Sequence, residues 1–302
     1  MTSFSPRYLT ARKNGRLSKS IKNARKLLKS CLLCPRKCRT NRTSDDTGIC
    51  ETGNHPVISS FMPHFGEEPP LSGTHGSGTI FFSHCNLRCC FCQNYDISLH
   101  GKGQTAVEGQ LASVMLRLQR QGCHNINLVT PTHVVPQFLA ELEIAIGHGL
   151  NLPIVYNSSG YERIQTLKLL DGIIDIYMPD FKFWDSRIAE LACNAPDYPA
   201  VARTAIKEMH RQVGDLKMDK NGLAQSGLLV RHLVLPDDMA GTEQIMKFLH
   251  THVSPDTHVN VMSQYHPAAD AVTIKGFDRT VTVAEYRRAR AMAERYGLNL
   301  IR

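Results

Sequence analysis

The sequence predicts an α/β protein: a parallel sheet covered by helices on both sides, with a cysteine-rich extension at the N-terminus. Three observations carry this. After Gly78, short apolar runs alternate with amphipathic stretches through six strand–helix units, the pattern of a sheet buried on both faces. Eight of the ten cysteines fall in two groups, one upstream of the first apolar run and one immediately after it. At 302 residues, 42% hydrophobic and 21% charged, the chain is long enough for one large α/β domain or two smaller ones.

Residues 1–30 read as a basic arm and a short helix. Residues 1–16 show no apolar periodicity and are expected to be mobile. From there Leu17, Ile21, Ala24 and Leu28 recur at helical spacing and lead to Cys31. Residues 1–44 hold 13 Lys or Arg and no acid, so that although the chain carries +8 overall, the remainder has a balance of −5. Such an arm suits contact with nucleic acid or an acidic partner, and its composition also resembles an organelle transit peptide. Without interleaved aromatics, a solvated tail is the expectation.

Residues 31–77 read as a metal-binding segment followed by a connecting loop. Cys31-Leu-Leu-Cys34-Pro-Arg-Lys-Cys38 and Cys50 supply four thiolates, which suits a closed tetrahedral zinc site or a second iron–sulfur cluster. Spacing does not choose between them. The polar stretch from Arg36 to Asp46 argues against four unligated buried thiols, and a metal would staple a segment too small for its own core. Residues 51–77, rich in proline and glycine, read as an extended, turn-rich connection. Glu67 and Glu68 are expected in a solvated loop, and His55, His64, His75 and His84 in surface or packing roles.

Residues 78–302 carry the repeating units. Expected strands are Thr79–Phe82, Asn125–Thr130, Pro153–Asn157, Ile173–Met178, Leu228–Leu235 and His258–Met262. Expected helices lie near 110–121, 134–148, 162–170, 199–213, 240–252 and 282–296. In such sheets ligands sit at the C-terminal strand ends. There the sequence places Cys85, Cys89 and Cys92 at C-x3-C-x2-C spacing, then Thr130-Pro-Thr-His133, Asn157-Ser-Ser-Gly160, Met178-Pro-Asp-Phe-Lys182, Arg231 and Gln264-Tyr-His266. Three local thiolates suit a four-iron cluster with one iron left open for a ligand other than protein. Cys90, adjacent to Cys89, is expected to be a packed thiol. Taken singly, Asp180, Lys182, Arg231 and His266 are ordinary structural residues; their shared placement beside a cysteine triad is what makes them site candidates.

With Cys92-Gln-Asn-Tyr-Asp96, Asp180-x-Lys182, Val230-Arg231-His-Leu-Val-Leu-Pro236 and Tyr265-His266 following the triad in order, the chain resembles the radical S-adenosylmethionine (SAM) enzymes over residues 31–302. Within them it is most similar to pyruvate formate-lyase activating enzyme and its uncharacterised activase-like branch, through Cys31-Leu-Leu-Cys34-Pro-Arg-Lys-Cys38, Gly66-Glu-Glu-Pro69 and Gly76-Ser-Gly-Thr-Ile-Phe-Phe82. The resemblance implies a partial (β/α)6 TIM-like barrel and an oxidoreductase that cleaves SAM at a 4Fe–4S cluster on Cys85, Cys89 and Cys92. It implies cofactor contacts from Asn94, Thr132, Asn157, Lys182, Arg231 and His266. A monovalent cation would sit beside Ser158, Met178 and Asp180, where Asn157 stands in place of the family's aspartate. Thr130-Pro-Thr-His133 replaces the family's Gly-Gly-Glu-Pro, with Thr132 offering an acceptor. The implied partners are an electron donor such as flavodoxin or ferredoxin and a protein or peptide substrate, including a glycyl radical enzyme to be activated; RNA and small metabolites remain open as substrates.

The competing reading is a zinc-binding, nucleic-acid-interacting protein built on Cys31, Cys34, Cys38, Cys50 and the basic arm. It leaves the strand-end residues unused. No apolar run spans a bilayer and no signal peptide opens the chain, so clustered cysteines favour metal ligation in a reducing compartment, and the expected location is cytoplasmic.

Overall fold

The computed structural model describes residues 4–301; the first three residues of the arm expected to be mobile, and Arg302 at the end of the resemblance, lie outside the described residues. In chain order the elements are α1 (Arg7–Lys13), α2 (Arg16–Lys26), β1 (Val57–His64), α3 (Pro69–Ser72), β2 (Ser77–Phe82), α4 (Tyr95–Ser98) and β3 (Gln104–Thr105). Then come α5 (Gln110–Arg120), β4 (Ile126–Val129), α6 (Val135–Gly147), β5 (Ile154–Ser158), α7 (Ile164–Leu170), β6 (Ile176–Pro179), α8 (Ser186–Cys193) and α9 (Tyr198–Val213). The chain finishes with β7 (Lys217–Met218), β8 (Ala224–Leu233), α10 (Thr242–His252), β9 (His258–Met262), α11 (Val283–Arg295) and β10 (Asn299–Leu300).

The sheet runs β10-β9-β8-β6-β5-β4-β2-β1-β3. Every pair from β10 to β2 is parallel, and the helices between consecutive strands cover the outside. This is an α/β fold with a mostly parallel sheet, as the strand–helix alternation predicts. All six expected strands are β2, β4, β5, β6, β8 and β9. Their apolar runs bury both faces: Ile126, Leu128, Ile154, Tyr156, Ile176 and Tyr177 are all fully buried. Inward-facing Val129, Asn157 and Met178 lie in register across β4, β5 and β6, and the bridge between Asp180 and Arg231 extends that face at the strand ends.

Two expectations change. The stretch read as a turn-rich connection contains β1, paired antiparallel with β2, and α3. Its Pro63 is tolerated because β3 covers only Val57 and Ile58 on the far side, leaving Pro63 on an edge that needs no N–H donor. The arm expected to be mobile forms α1, whose Tyr8 is fully buried and donates its hydroxyl hydrogen to Leu152 O at 2.9 Å. Arg7 N donates to Asp175 Oδ1 at 2.9 Å, tying the same helix to the loop before β6. Seven residues are too few for a periodicity to show, so tertiary packing decides this helix. Among the described residues no helix is long and apolar enough to cross a membrane.

Candidate functional site

The loop after β2 is shaped by its side chains before any ligand is considered. Phe91, between Cys90 and Cys92, stacks on Phe277 at 5.5 Å and packs edge-on against Phe183 and Tyr265, which fastens the loop to the core. His84 and Arg88 take left-handed φ values of 71° and 56°. Those turns bring Cys85, Cys89 and Cys92 onto one wall of a cavity of about 230 Å3 at the C-terminal ends of the strands. The opposite wall carries Asn157, Ser158, Ser159, Asp180, Lys182 and Arg231, with Thr130, Asn94 and Gln264 at its margins.

Asp180 organises the polar wall. Its two carboxylate oxygens accept from Lys182 Nζ at 2.6 Å and from Arg231 Nε at 2.9 Å. A terminal nitrogen of Arg231 donates to Asn157 Oδ1 at 2.7 Å. Burial opposes the charge on Asp180, yet Arg231 and Lys182 together hold its carboxyl below the usual range. Burial likewise opposes the Lys182 charge, and Asp180 with Cys89 outweighs it, so the ammonium stays protonated. In the loop after β5, Gly160 sits at φ +75°, where a Cβ would meet the Asp180 carbonyl oxygen at 2.3 Å; only glycine lets the two loops approach this closely.

The thiols differ. Burial pushes Cys85 up to about 12, with repulsion from Cys89 adding to it. Cys92 is raised by burial and then Cys89, although Ser98 Oγ donates to its sulfur at 3.0 Å. Cys89 is lowered, because the Cys193 thiol donates to its sulfur and Lys182 adds to that against the effect of burial. Cys90 is a half-buried thiol whose N–H donates to Ala192 O at 2.8 Å, and burial raises it to about 11.

Several expected site residues fall together, and others do not. Asn94, Asn157, Ser158, Asp180, Lys182 and Arg231 line the cavity with the cysteine triad. Met178 lies one layer below, fully buried among Leu71, Val155 and Leu229. Thr132 is fully buried and turned away, its hydroxyl donating to Glu162 Oε1. Thr130 takes the cavity margin instead, at φ 60°. His266 is exposed at the mouth, 3.2 Å from Gln93 Nε2. Glu67 and Glu68, expected in solvent, face inward: Glu67 lies 3.8 Å from Arg231, with only 8% of its side chain exposed, and Glu68 Oε1 accepts from Asn260 Nδ2 at 2.8 Å. Cys193 is the residue that spacing had no means to find, since it stands far along the chain from the triad and outside any C-x-x-C pattern.

The four upstream cysteines lie near one another, although among the described residues no three His, Cys, Asp or Glu side chains are arranged to hold a single metal ion. Cys34 is raised by burial, with Cys50, Cys31 and Cys38 each near enough to repel its charge. Gly48 lies against Cys38, where a Cβ would meet the sulfur at 2.7 Å. A larger groove of about 670 Å3 lies between α2, α5 and α6, with Lys22, Arg25, Lys26 and Lys29 on one wall; its lining contains no cysteine.

The donor chemistry of the main cavity fits an iron–sulfur cluster beside an amino-acid-bearing ligand. Three soft thiol ligands stand on one wall, and on the other an ammonium, a guanidinium, a carboxylate and an amide are held by one another. The sequence profile described as the Radical SAM superfamily matches residues 79–216. An uncharacterized protein of Methanocaldococcus jannaschii is 30% identical over 295 residues, covering 94% of this chain and 80% of that protein. A crystal structure of a radical SAM methyltransferase from Sphaerobacter thermophilus superposes with a TM-score of 0.51 at 14% identity, covering 74% of this chain and 64% of that one. The latter likeness concerns the fold, and this chain spans less than two thirds of that structure.

Proposed function

Since this chain belongs to the radical SAM superfamily, we propose that it reductively cleaves SAM at a 4Fe–4S cluster on Cys85, Cys89 and Cys92 and abstracts a hydrogen atom from a protein or peptide substrate. Activation of a glycyl radical enzyme is one form of this reaction, although Thr130-Pro-Thr-His133 in place of the family's Gly-Gly-Glu-Pro argues against carrying the activase substrate over unchanged. Members of the superfamily use SAM and a 4Fe–4S cluster, which together supply a 5′-deoxyadenosyl radical once an electron donor such as flavodoxin or ferredoxin has delivered one electron. The observation that carries the reading is the cavity itself, with a cysteine triad facing an ion-paired lysine and arginine.

The chain's own residues then have separable tasks. Lys182 spends one of its three donors on Asp180 and keeps the others for a ligand carboxylate. Arg231 is held flat by Asp180 and Asn157, so its remaining N–H groups have a fixed direction. Phe82, Leu87, Phe91, Ile97 and Leu233 line the rest of the cavity and keep water out. At about 230 Å3 the cavity lies just below the ~300 Å3 at which ligand pockets begin, and Gln93 and Gln264, joined by a 2.9 Å hydrogen bond, both line it. We read Cys31, Cys34, Cys38 and Cys50 as a second metal site, for zinc or a further cluster.

The test is anaerobic reconstitution followed by incubation with reductant and SAM. Cys85→Ala, Cys89→Ala and Cys92→Ala each abolish 5′-deoxyadenosine formation while the upstream site keeps its metal. Continued 5′-deoxyadenosine formation in all three variants would sink the assignment.

A further inference from the structure

The four upstream cysteines contribute no sulfur to the main cavity, yet the residues beside them grip the loop that carries the triad. Arg36, two residues after Cys34, reaches four backbone carbonyls with its guanidinium. Its Nε donates to Asn86 O at 3.0 Å and a terminal nitrogen to Leu87 O at 3.1 Å, both between Cys85 and Cys89. It also donates to Cys193 O at 2.7 Å and to Asn194 O, at the end of α8. The guanidinium lies 5.3 Å from the centre of the Tyr161 ring, and the Tyr161 carbonyl in turn accepts from Asn86 Nδ2 at 2.9 Å. Cys34 itself is buried, near Cys31, Cys38 and Cys50. One residue thus joins the upstream thiols, the cluster loop and α8.

Glu51, adjacent to Cys50, holds the loop a second time. Its carboxylate pairs with Arg88 at 3.0 Å and lies 3.8 Å from His84. These are the two loop residues with left-handed φ, a conformation that costs ~1–2 kcal/mol each and persists only where the surroundings impose it. The upstream segment has little packing of its own with which to impose anything: its apolar cluster is Leu28, Cys31 and Leu33 with Leu27 alongside. It also spends left-handed φ on Lys37, Arg39 and Glu51. The rest of the chain holds it in part, through Arg163 and Thr166 on the carbonyls of Leu32 and Leu33 and through buried Arg42 on those of Gly53 and His133, and a metal on the four nearby thiols would staple it further.

We propose that the four-cysteine segment is a metal-stapled clamp on the cluster loop, with Arg36 and Glu51 as positioning residues that fix where Cys85 and Cys89 stand. This rests on the reading of both cysteine groups as metal sites. Neither side chain touches the reacting atoms. Each converts order at the upstream site into order at the loop, and by linkage an assembled loop favours an assembled upstream site.

The experiment compares Arg36→Gln, Arg36→Lys and Glu51→Gln with the parent, and uses Arg39→Gln as control, since Arg39 is an exposed arginine of the same segment without a side-chain bond to the loop. Iron release into a fixed excess of chelator and the electron paramagnetic resonance line shape of the reduced cluster are read on reconstituted protein. Amide hydrogen exchange across Leu87–Cys92 is read twice on each protein, after reconstitution and after chelation of all metal. Arg36→Gln should release cluster iron roughly tenfold faster, the loss of charge-assisted bonds, with a broadened line shape and unchanged metal at Cys31, Cys34, Cys38 and Cys50. Arg36→Lys recovers part of the retention, Glu51→Gln shows a smaller loss in the same direction, and Arg39→Gln matches the parent. In the parent, chelation should collapse loop protection to the level of Arg36→Gln. Parent-like iron release and loop exchange in both Arg36→Gln and Glu51→Gln would overturn the clamp. Should Arg36→Gln fail to fold, Glu51→Gln, on a half-exposed side chain, decides alone. A parent that binds no iron on Cys85, Cys89 and Cys92 would instead overturn the proposed function, and the exchange comparison would still judge the clamp.

Discussion

Asp180 is the single carboxylate that both site cations use, and its removal should cost more than the removal of either. In Asp180→Asn, Lys182 and Arg231 both remain largely buried, Lys182 without its carboxylate partner and Arg231 with only Glu67 at 3.8 Å. An uncompensated buried charge costs about 3–5 kcal/mol, so Asp180→Asn should lower the urea midpoint well below that of Lys182→Met, which leaves Asp180 still paired with Arg231. Equal midpoints for the two variants would show that Asp180 does not carry the network. A second buried acid gives a prediction in pH. Burial raises Asp175 from 3.8 to about 7, against the N–H groups of Arg7 and Ile154 that donate to it. The folded chain therefore holds a proton there that the unfolded chain has released, and stability falls as pH rises from about 4 to about 7, then levels. Asp175→Asn should flatten this slope in urea titrations at constant ionic strength; an unaltered slope would assign it to other groups. The residue scale is also where sequence reasoning had least purchase. Lys182 and Arg231 were found because they fall at strand ends, whereas Glu67 faces Arg231 from a segment more than 150 residues away in sequence, and Arg36 recognises carbonyls, which leave no pattern in a sequence.

At the scale of elements, legibility followed length and burial. The strands β2, β4, β5, β6, β8 and β9 announce themselves as apolar runs because both of their faces are covered, and α5, α6, α9, α10 and α11 are long enough for a helical period to emerge. In α11 the boundary is written as well, in the reciprocal bonds of Thr282 and Glu285. What escaped was short or contextual: α8 has eight residues and a cap from Asp185, and β1 carries a proline that only an edge accepts. α1 holds by one aromatic. Tyr8→Ala removes a fully buried ring and its hydrogen bond to Leu152 O, and should destabilise the protein by about 3 kcal/mol while exposing residues 7–13 to proteolysis. A change under ~1 kcal/mol would mean that α1 packs without contributing.

Across the whole molecule, the parallel sheet accounts for why residues scattered from Cys85 to Gln264 share one cavity: they lie in the last turns of the strands or in the loops that follow them, and the strands all point the same way. That much follows from alternation alone, which is why the location of the site was readable before its geometry. The N-terminal segments follow a different logic. They wrap the outside, with α2 against α6 and α7, Arg163 and Thr166 holding the carbonyls of Leu32 and Leu33 at 2.6 Å, and Arg42 reaching His133 O at 2.7 Å. Their contacts are backbone carbonyls met by long side chains, so the composition of the arm shows its charge and conceals its docking.

Gly160 sets a limit on how this protein can vary. Its backbone and the Asp180 carbonyl occupy the space that any side chain at position 160 would need, and relief by displacement would carry off the residue on which Lys182 and Arg231 both depend. In a library of random substitutions, this position should therefore return glycine alone among functional survivors, although glycine there touches no ligand and bears no charge.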